Sequence, residues 1–271
     1  MRESIVKPIT RPIISAINRQ HEQSGYSPSS LFASGEQGAW YDPSDMATMW
    51  QDAAGTIPVT AANQQVGRIL DKSGNNNHAT QPTGASRPVL RQSGSIWFLE
   101  FDGVNDFLVT AGIDFTAQSE MSVFAGVAKI TDAAAGMLVE LSPSIDANNF
   151  AFALKAPDAA AAATYRAQFK GTLLSECLAS GYAAPTTHVV TAVCSIDFNQ
   201  FLRVSGTLIP GDGLQGTGNF GNHPLYVGMR GGATLPFRGY LASLIVRGKY
   251  TTGQTMNDAE KYVADKSGVV M

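Results

Sequence analysis

From Gly38 onward the apolar residues come in short runs, among them SIWFLEF, MSVFAGVAKI, HVVTAVCSI, QFLRVSG and YLASLIVRG. Gly, Asn, Asp or Pro usually separates one run from the next, and these residues favour turns. About twelve strands at this spacing predict an all-β fold, a two-sheet antiparallel jelly-roll sandwich. AVCSIDFNQFLRVSGTLI reads as a hairpin turning near Asp197–Asn199. Helical pattern is scarce. Ser44 is placed to cap a short helix over DMATMWQ. TTGQTMNDAEKYVADKSG predicts a closing helix from about Gln254, ended by Gly268. PDAAAAATY is rich in alanine but sits in a loop-like setting, and no internal repeat is visible.

Residues 1–35 follow a different pattern. Pro8, Pro12 and Pro28 punctuate them, and little strand alternation is present. Pro12 suits the first position of a short helix. Ile13, Ile14 and Ile17 then form one apolar stripe, with Ile5 and Ile9 upstream. A helix that short is not stable alone, so the stripe is expected to dock on something. A partly disordered terminus is the other reading. The chain therefore divides into an arm, 1–35, for anchoring or oligomerisation, and a sandwich domain, 36–271.

Composition sharpens this picture. Only 15% of residues are charged and 27 are glycine, which favours sheets and turns over helices. The net charge of −3 gives no footprint for nucleic acid or an anionic membrane. No apolar run has the length of a membrane span, and the N-terminus does not read as a signal peptide. Cys177 and Cys194 are too far apart for a CxxC pair, and two reduced thiols suit a chain made in a cytosol. Cys194 is expected to face the core.

The polar loop GRILDKSGNNNHATQP has two readings. As an EF-hand starting at Asp71 it fails, with Asn76 where Gly belongs and Pro82 where Glu belongs. A looser calcium site remains open, with Asp71 and Asn75 joined by Asp102 and Asp106 of FDGVNDF if the two loops meet. The competing reading is a pair of self-satisfied turns, with His78 hydrogen-bonded rather than basic. No cofactor is expected other than calcium at this loop. PGDGLQGTGNFGNHP matches G-x-G-x-x-G but leads into a strand, so it reads as a surface loop. No G-x-S-x-G elbow is present, and His21, His78, His188 and His223 lack ligand spacing. Glu100 and Glu140 each stand alone on their strands, so no carboxylate pair for glycoside hydrolysis is visible. The chain reads as a non-enzyme. Aromatic side chains remain, and Tyr182 in ASGYAAPTT is the one expected to be exposed for sugar stacking.

The stretch from GAWYDPSD through LDKSGNNNHATQ and RPVL to FDGVND resembles bacteriophage proteins with a laminin-G-like, concanavalin A-like sandwich. The ending FRGYLASLIVRG with its helix is similar as well, so the resemblance covers roughly residues 31 to 271. It implies a virion component made in the host cytoplasm. The arm would join other virion proteins, and the protein would be a homo-oligomer such as a trimer. The implied role is a tail, baseplate or fibre-associated module with possible binding to a host-surface glycan. The alternative is a capsid decoration or head-fibre protein, and a glycan-cleaving hydrolase is third. The resemblance also treats the DKSG loop as a fold signature.

Overall fold

A computed structural model of the protein describes residues 25–271. Ile5, Ile9, Ile13, Ile14 and Ile17 lie outside those residues. Among the described residues no helix is long and apolar enough to cross a membrane.

The strands, in chain order, begin with β1 (Gly38–Tyr41), β2 (Met49–Trp50), β3 (Arg68–Ile69), β4 (Ala79–Thr80), β5 (Val89–Ser93) and β6 (Ile96–Asp102). Then come β7 (Leu108–Asp114), β8 (Glu120–Lys129), β9 (Met137–Leu141), β10 (Ala151–Lys155), β11 (Thr164–Lys170) and β12 (Leu174–Ser180). The last are β13 (Thr186–Ser195), β14 (Asn199–Val204), β15 (Thr207–Pro210), β16 (Asn222–Val227) and β17 (Arg238–Arg247), followed by the helix α1 (Gly253–Ser267). The first sheet runs β15-β14-β13-β8-β17-β6-β5, with β1 also beside β17. The second runs β12-β11-β10-β9-β16-β7-β4-β3-β2. Pairing between strands is antiparallel throughout, so the fold is the expected two-sheet sandwich. Leu99, Val123, Val127, Val190, Leu244 and Val246 of the first sheet close on Val139, Phe152, Leu154, Tyr165 and Phe169 of the second. Cys194 lies in this core.

The central strands of the first sheet are apolar on their outer face too. Phe124, Val189, Val193 and Ile245 form a second cluster there with Trp40. Met256, Ala259, Val263 and Ala264 of α1 cover it, together with Leu31 and Phe32 from the 3-10 turn Pro28–Phe32. The last residues of the stretch assigned to the arm are thus part of the sandwich's outer layer. Burial on both faces explains why β8 and β13 lack strict alternation. Gly268, at φ 70°, ends α1 in the left-handed conformation expected of it. Gly126 lets the helix end settle on β8, since a Cβ there would come within 2.9 Å of the Ser267 Cβ.

The expected helix after Ser44 is only the 3-10 turn Met46–Thr48, and Ser44 does not cap it. Its hydroxyl donates instead to Asp42 Oδ1 at 2.6 Å. Asp42 also accepts from the Tyr262 hydroxyl at 2.9 Å. Lys266 and Lys72 approach the same carboxylate at 3.1 and 3.5 Å. Burial alone would raise the Asp42 carboxyl, but the Ser44 hydroxyl and the two ammonium groups hold it below its usual value.

A carboxyl with a depressed folded pKa contributes stability above its unfolded pKa and loses it as pH falls through the folded one. Asp42→Asn is therefore expected to cost about 1–2 kcal/mol at pH 7, because it takes from the partly buried Lys266 ammonium its only carboxylate among the described residues, while Lys72 keeps Asp45 at 2.6 Å. The gap to the wild-type protein should narrow below pH 3.8, the ordinary value for this carboxyl. Urea unfolding at neutral and acid pH measures both.

Candidate functional site

The loop around Asp71 is a tie between two segments. Asp71 Oδ1 accepts from the Trp40 and Ser73 amides, each at 2.8 Å. Oδ2 accepts from the Ser73 hydroxyl at 2.7 Å and the Asn77 amide at 3.0 Å. Asn75 Nδ2 donates to the Glu36 and Gly38 carbonyls. His78 Nδ1 accepts from the Asp71 amide at 3.1 Å, so it acts as the hydrogen-bonded residue expected, and burial lowers its pKa. Lys72 lies over the Trp40 ring, 4.7 Å from its centroid.

In the other loop, Asp102 Oδ1 accepts from the Val104 and Asn105 amides, closing a turn. Asp106 Oδ2 accepts from the Asp102 amide. Burial pushes the Asp106 carboxyl up to about 6, and the nearby Asp102 and Glu100 charges add to this. Among the described residues no group of three or more His, Cys, Asp or Glu side chains is placed to hold a metal. Asp71 is bonded to Ser73 and Asn77 within its own loop, and Asp102 and Asp106 are bonded within theirs.

Tyr182 is not the exposed loop aromatic expected. It is half-buried against the core, with ring centroids 5.0 Å from His188 and 5.8 Å from Tyr165. Glu140 is fully buried, with Oε1 accepting from the Ile145 amide and Oε2 from Arg230 Nε. Burial raises its pKa. Glu100 pairs with Arg91 at 2.5 Å. Burial pushes the Cys177 thiol up to about 12 and raises Cys194 as well, which suits neither for nucleophilic chemistry.

The first sheet's outer face offers a different site. The helix α1 covers β13, β8 and β17 but leaves a groove of about 250 Å³ toward β6 and β5. Gly126, Ala128 and Ala242 floor it, and Thr187 and Ser93 supply hydroxyls along it, while the Ser267 hydroxyl donates to the Val263 carbonyl. Phe98 and Tyr240 form one wall, with centroids 4.4 Å apart and planes tilted by 35°. Strand register places the Arg91–Glu100 ion pair beside this wall, Arg91 opposite Phe98 and Glu100 opposite Tyr240. A small-residue floor, an aromatic shelf and a charged rim suit a small, flat, hydroxyl-bearing ligand. Neither Phe98 nor Tyr240 is singled out by the sequence analysis. The alternation in IWFLEFD carries that signal, since Leu99 and Phe101 face the core and leave Phe98 and Glu100 outside.

No family model matches the sequence, and no curated protein matches it. Solved structures do share the fold. The binding domain of Paraclostridial Mosquitocidal Protein 1 superposes with a TM-score of 0.55 at 11% identity, over 75% of this chain and 51% of that one. Trypanosoma rangeli sialidase gives 0.54 at 11%, over 88% and 34%. Botulinum neurotoxin type C, which gets into cells in a manner dependent upon interaction with two ganglioside molecules, gives 0.54 at 9%, over 72% and 48%. The chain thus spans about half, or a third, of the length of these proteins. At such identities the likeness establishes the fold alone.

With both Asp71 oxygens already filled by protein donors, a chelator should leave the melting temperature unchanged. A cation bound only by the native state would raise stability, so its removal would lower the melt. A drop of several degrees with EDTA, reversed by calcium, would contradict this account of the loop. Thermal melts with and without chelator decide it.

Proposed function

We propose that the protein is a non-enzymatic carbohydrate-binding module, carried by a bacteriophage tail, baseplate or fibre and directed at a glycan of the host surface. The observation that carries the binding role is the Phe98–Tyr240 shelf over a floor of Gly126, Ala128 and Ala242. The apolar face of a sugar ring stacks on such a shelf, while Ser93, Thr187 and the Arg91–Glu100 pair meet its hydroxyls. Structures of the same fold include a ganglioside-dependent toxin and a sialidase, which supports a saccharide as the ligand class. Binding without cleavage is favoured by Glu140, whose two oxygens are buried and engaged by Ile145 and Arg230. The phage setting rests on the sequence resemblance, as does attachment through the N-terminal arm, which the sequence places at residues 1–35.

A glycan array including bacterial surface polysaccharides tests the binding role. Phe98→Ala and Tyr240→Ala should each weaken binding on the order of tenfold, about 1.4 kcal/mol. Both side chains are half-exposed, so both variants should keep a wild-type fold by circular dichroism. Absence of binding to any saccharide, or variants that bind like the wild type, would overturn the groove as the site.

Deleting residues 1–24 tests the attachment role separately. The truncated protein should melt as the full chain does yet be missing from purified particles. Normal incorporation would contradict anchoring by this segment.

A further inference from the structure

The groove beside α1 is closed at one end and open at the other. At the closed end Ser267 lines it and Gly268 sits against Ile96, where a Cβ on Gly268 would lie 3.4 Å from the Ile96 Cγ1. Toward the other end Glu100, Tyr240 and Ala128 form one cross-strand row. Side chains two residues apart on a strand share a face. Asp102, Arg238 and Ile130 therefore stand on the same face, about 7 Å further along the strands. Pairing persists to this level: Asp102 is opposite Arg238, and the Ile130 amide donates to the Arg238 carbonyl at 3.5 Å. Here a second cavity of about 380 Å³ opens, lined by Gly103, Ile130, Thr131, Ala134, Pro157 and Arg238.

Arg238 is unlike the other arginines. Arg91, Arg166, Arg203, Arg230 and Arg247 each pair with a carboxylate. Arg87 donates to the Gln81 and Pro82 carbonyls, and Arg68 lies over the Trp50 ring. Among the described residues Arg238 alone of the arginines has a side chain with no such partner. Its stem is nevertheless held, because it packs on Gly103, where a Cβ would come within 2.6 Å of the Arg238 Cβ. The guanidinium is thus placed at the cavity with its donors free. Thr131 Oγ1 accepts from the Ala133 amide at 3.1 Å, which leaves its hydroxyl hydrogen to donate.

The two cavities together hold no surplus positive charge. Lys129 pairs with Asp132 at 2.7 Å, Arg91 with Glu100, and Asp102 faces Arg238 across the strands. Asp106, bonded to the Asp102 amide, adds only negative charge. An acidic sugar finds no unbalanced cation here. The hydroxyls of a neutral sugar can accept from Arg238 and Thr131, while Ile130 and Pro157 meet its C–H surface.

We propose that this second cavity is the adjoining subsite of the groove, holding the next unit of a neutral oligosaccharide whose chain end sits against α1. The sugar as ligand rests on the glycan-binding reading; the continuity of the two cavities rests on strand register.

Nuclear magnetic resonance of isotopically labelled full-length protein tests this, with glucose, galactose and N-acetylglucosamine titrated beside maltose, lactose and chitobiose. A single sugar unit should shift the Phe98 and Tyr240 amides. Its disaccharide should also shift Ile130, Thr131 and Arg238, and bind about tenfold tighter. Arg238→Ala should return the disaccharide to the affinity of the single unit, and the exposed position of Arg238 lets that variant fold. Ala134→Trp, which fills the cavity from an exposed position, should do the same. A disaccharide that shifts only Phe98 and Tyr240, or that binds Arg238→Ala as tightly as the wild type, would overturn the subsite and keep the groove. Shifts at Arg238 with none at Phe98 or Tyr240 would overturn both the groove and its continuation. No shift from any of the six sugars would remove the two together.

Discussion

Asp42 ties together three pieces of chain that are distant in sequence. Ser44 closes the turn after β1, Lys72 brings in the polar loop, and Tyr262 and Lys266 bring in the helix. Asp71 completes the tie by accepting the Trp40 amide, so β1 and the loop are held at two adjacent points. The Trp40 ring then packs edge-on against Tyr262, 5.8 Å between centroids. Besides these contacts, α1 has its apolar stripe and the Arg203–Glu260 ion pair at 3.2 Å to orient it. With them its direction across the first sheet is set, and so is the place where it stops.

Where the helix stops decides what the outer face can do. Phe124, Val189, Val193 and Ile245 lie beneath α1 and are closed to ligands. Gly126 lies under the helix end at Ser267, and beyond it the groove is floored by the small side chains of Ala128 and Ala242. An uncovered face of large aliphatic residues would be an association hazard. Small residues beside two stacked aromatics make a shallow recess instead. The second sheet solves the same problem differently, with the segment after β9 folding back so that Ile145 packs on Met137, Ala151 and Ala153.

Much of this was legible in the chain. Runs such as HVVTAVCSI and QFLRVSG announced strands, and their turn at Asp197 follows from local chemistry. Gly268 marked the end of α1 because a left-handed residue there is nearly always glycine or asparagine. The DKSG loop read as a turn from its Asp and Asn content alone. The expected helix after Ser44 failed because a long-range partner, Asp42 in its Tyr262 and Lys266 setting, took the serine hydroxyl. Tyr182 was misplaced for a related reason: its loop position suggested exposure, while His188 and Tyr165, set by other strands, gave it a packing site. The groove was not legible because it joins β5, β6, β8, β13 and β17, whose order in the sheet is not written in any local pattern.

The central claim is that the strip left bare by α1 receives a saccharide. The crystal structure of the protein grown with an oligosaccharide selected by array screening tests this most directly. The account predicts a sugar ring stacked on Phe98 and Tyr240, with its hydroxyls toward Thr187, Ser93 and the Arg91–Glu100 pair. A saccharide seated elsewhere on the sandwich, with this groove empty, would contradict it.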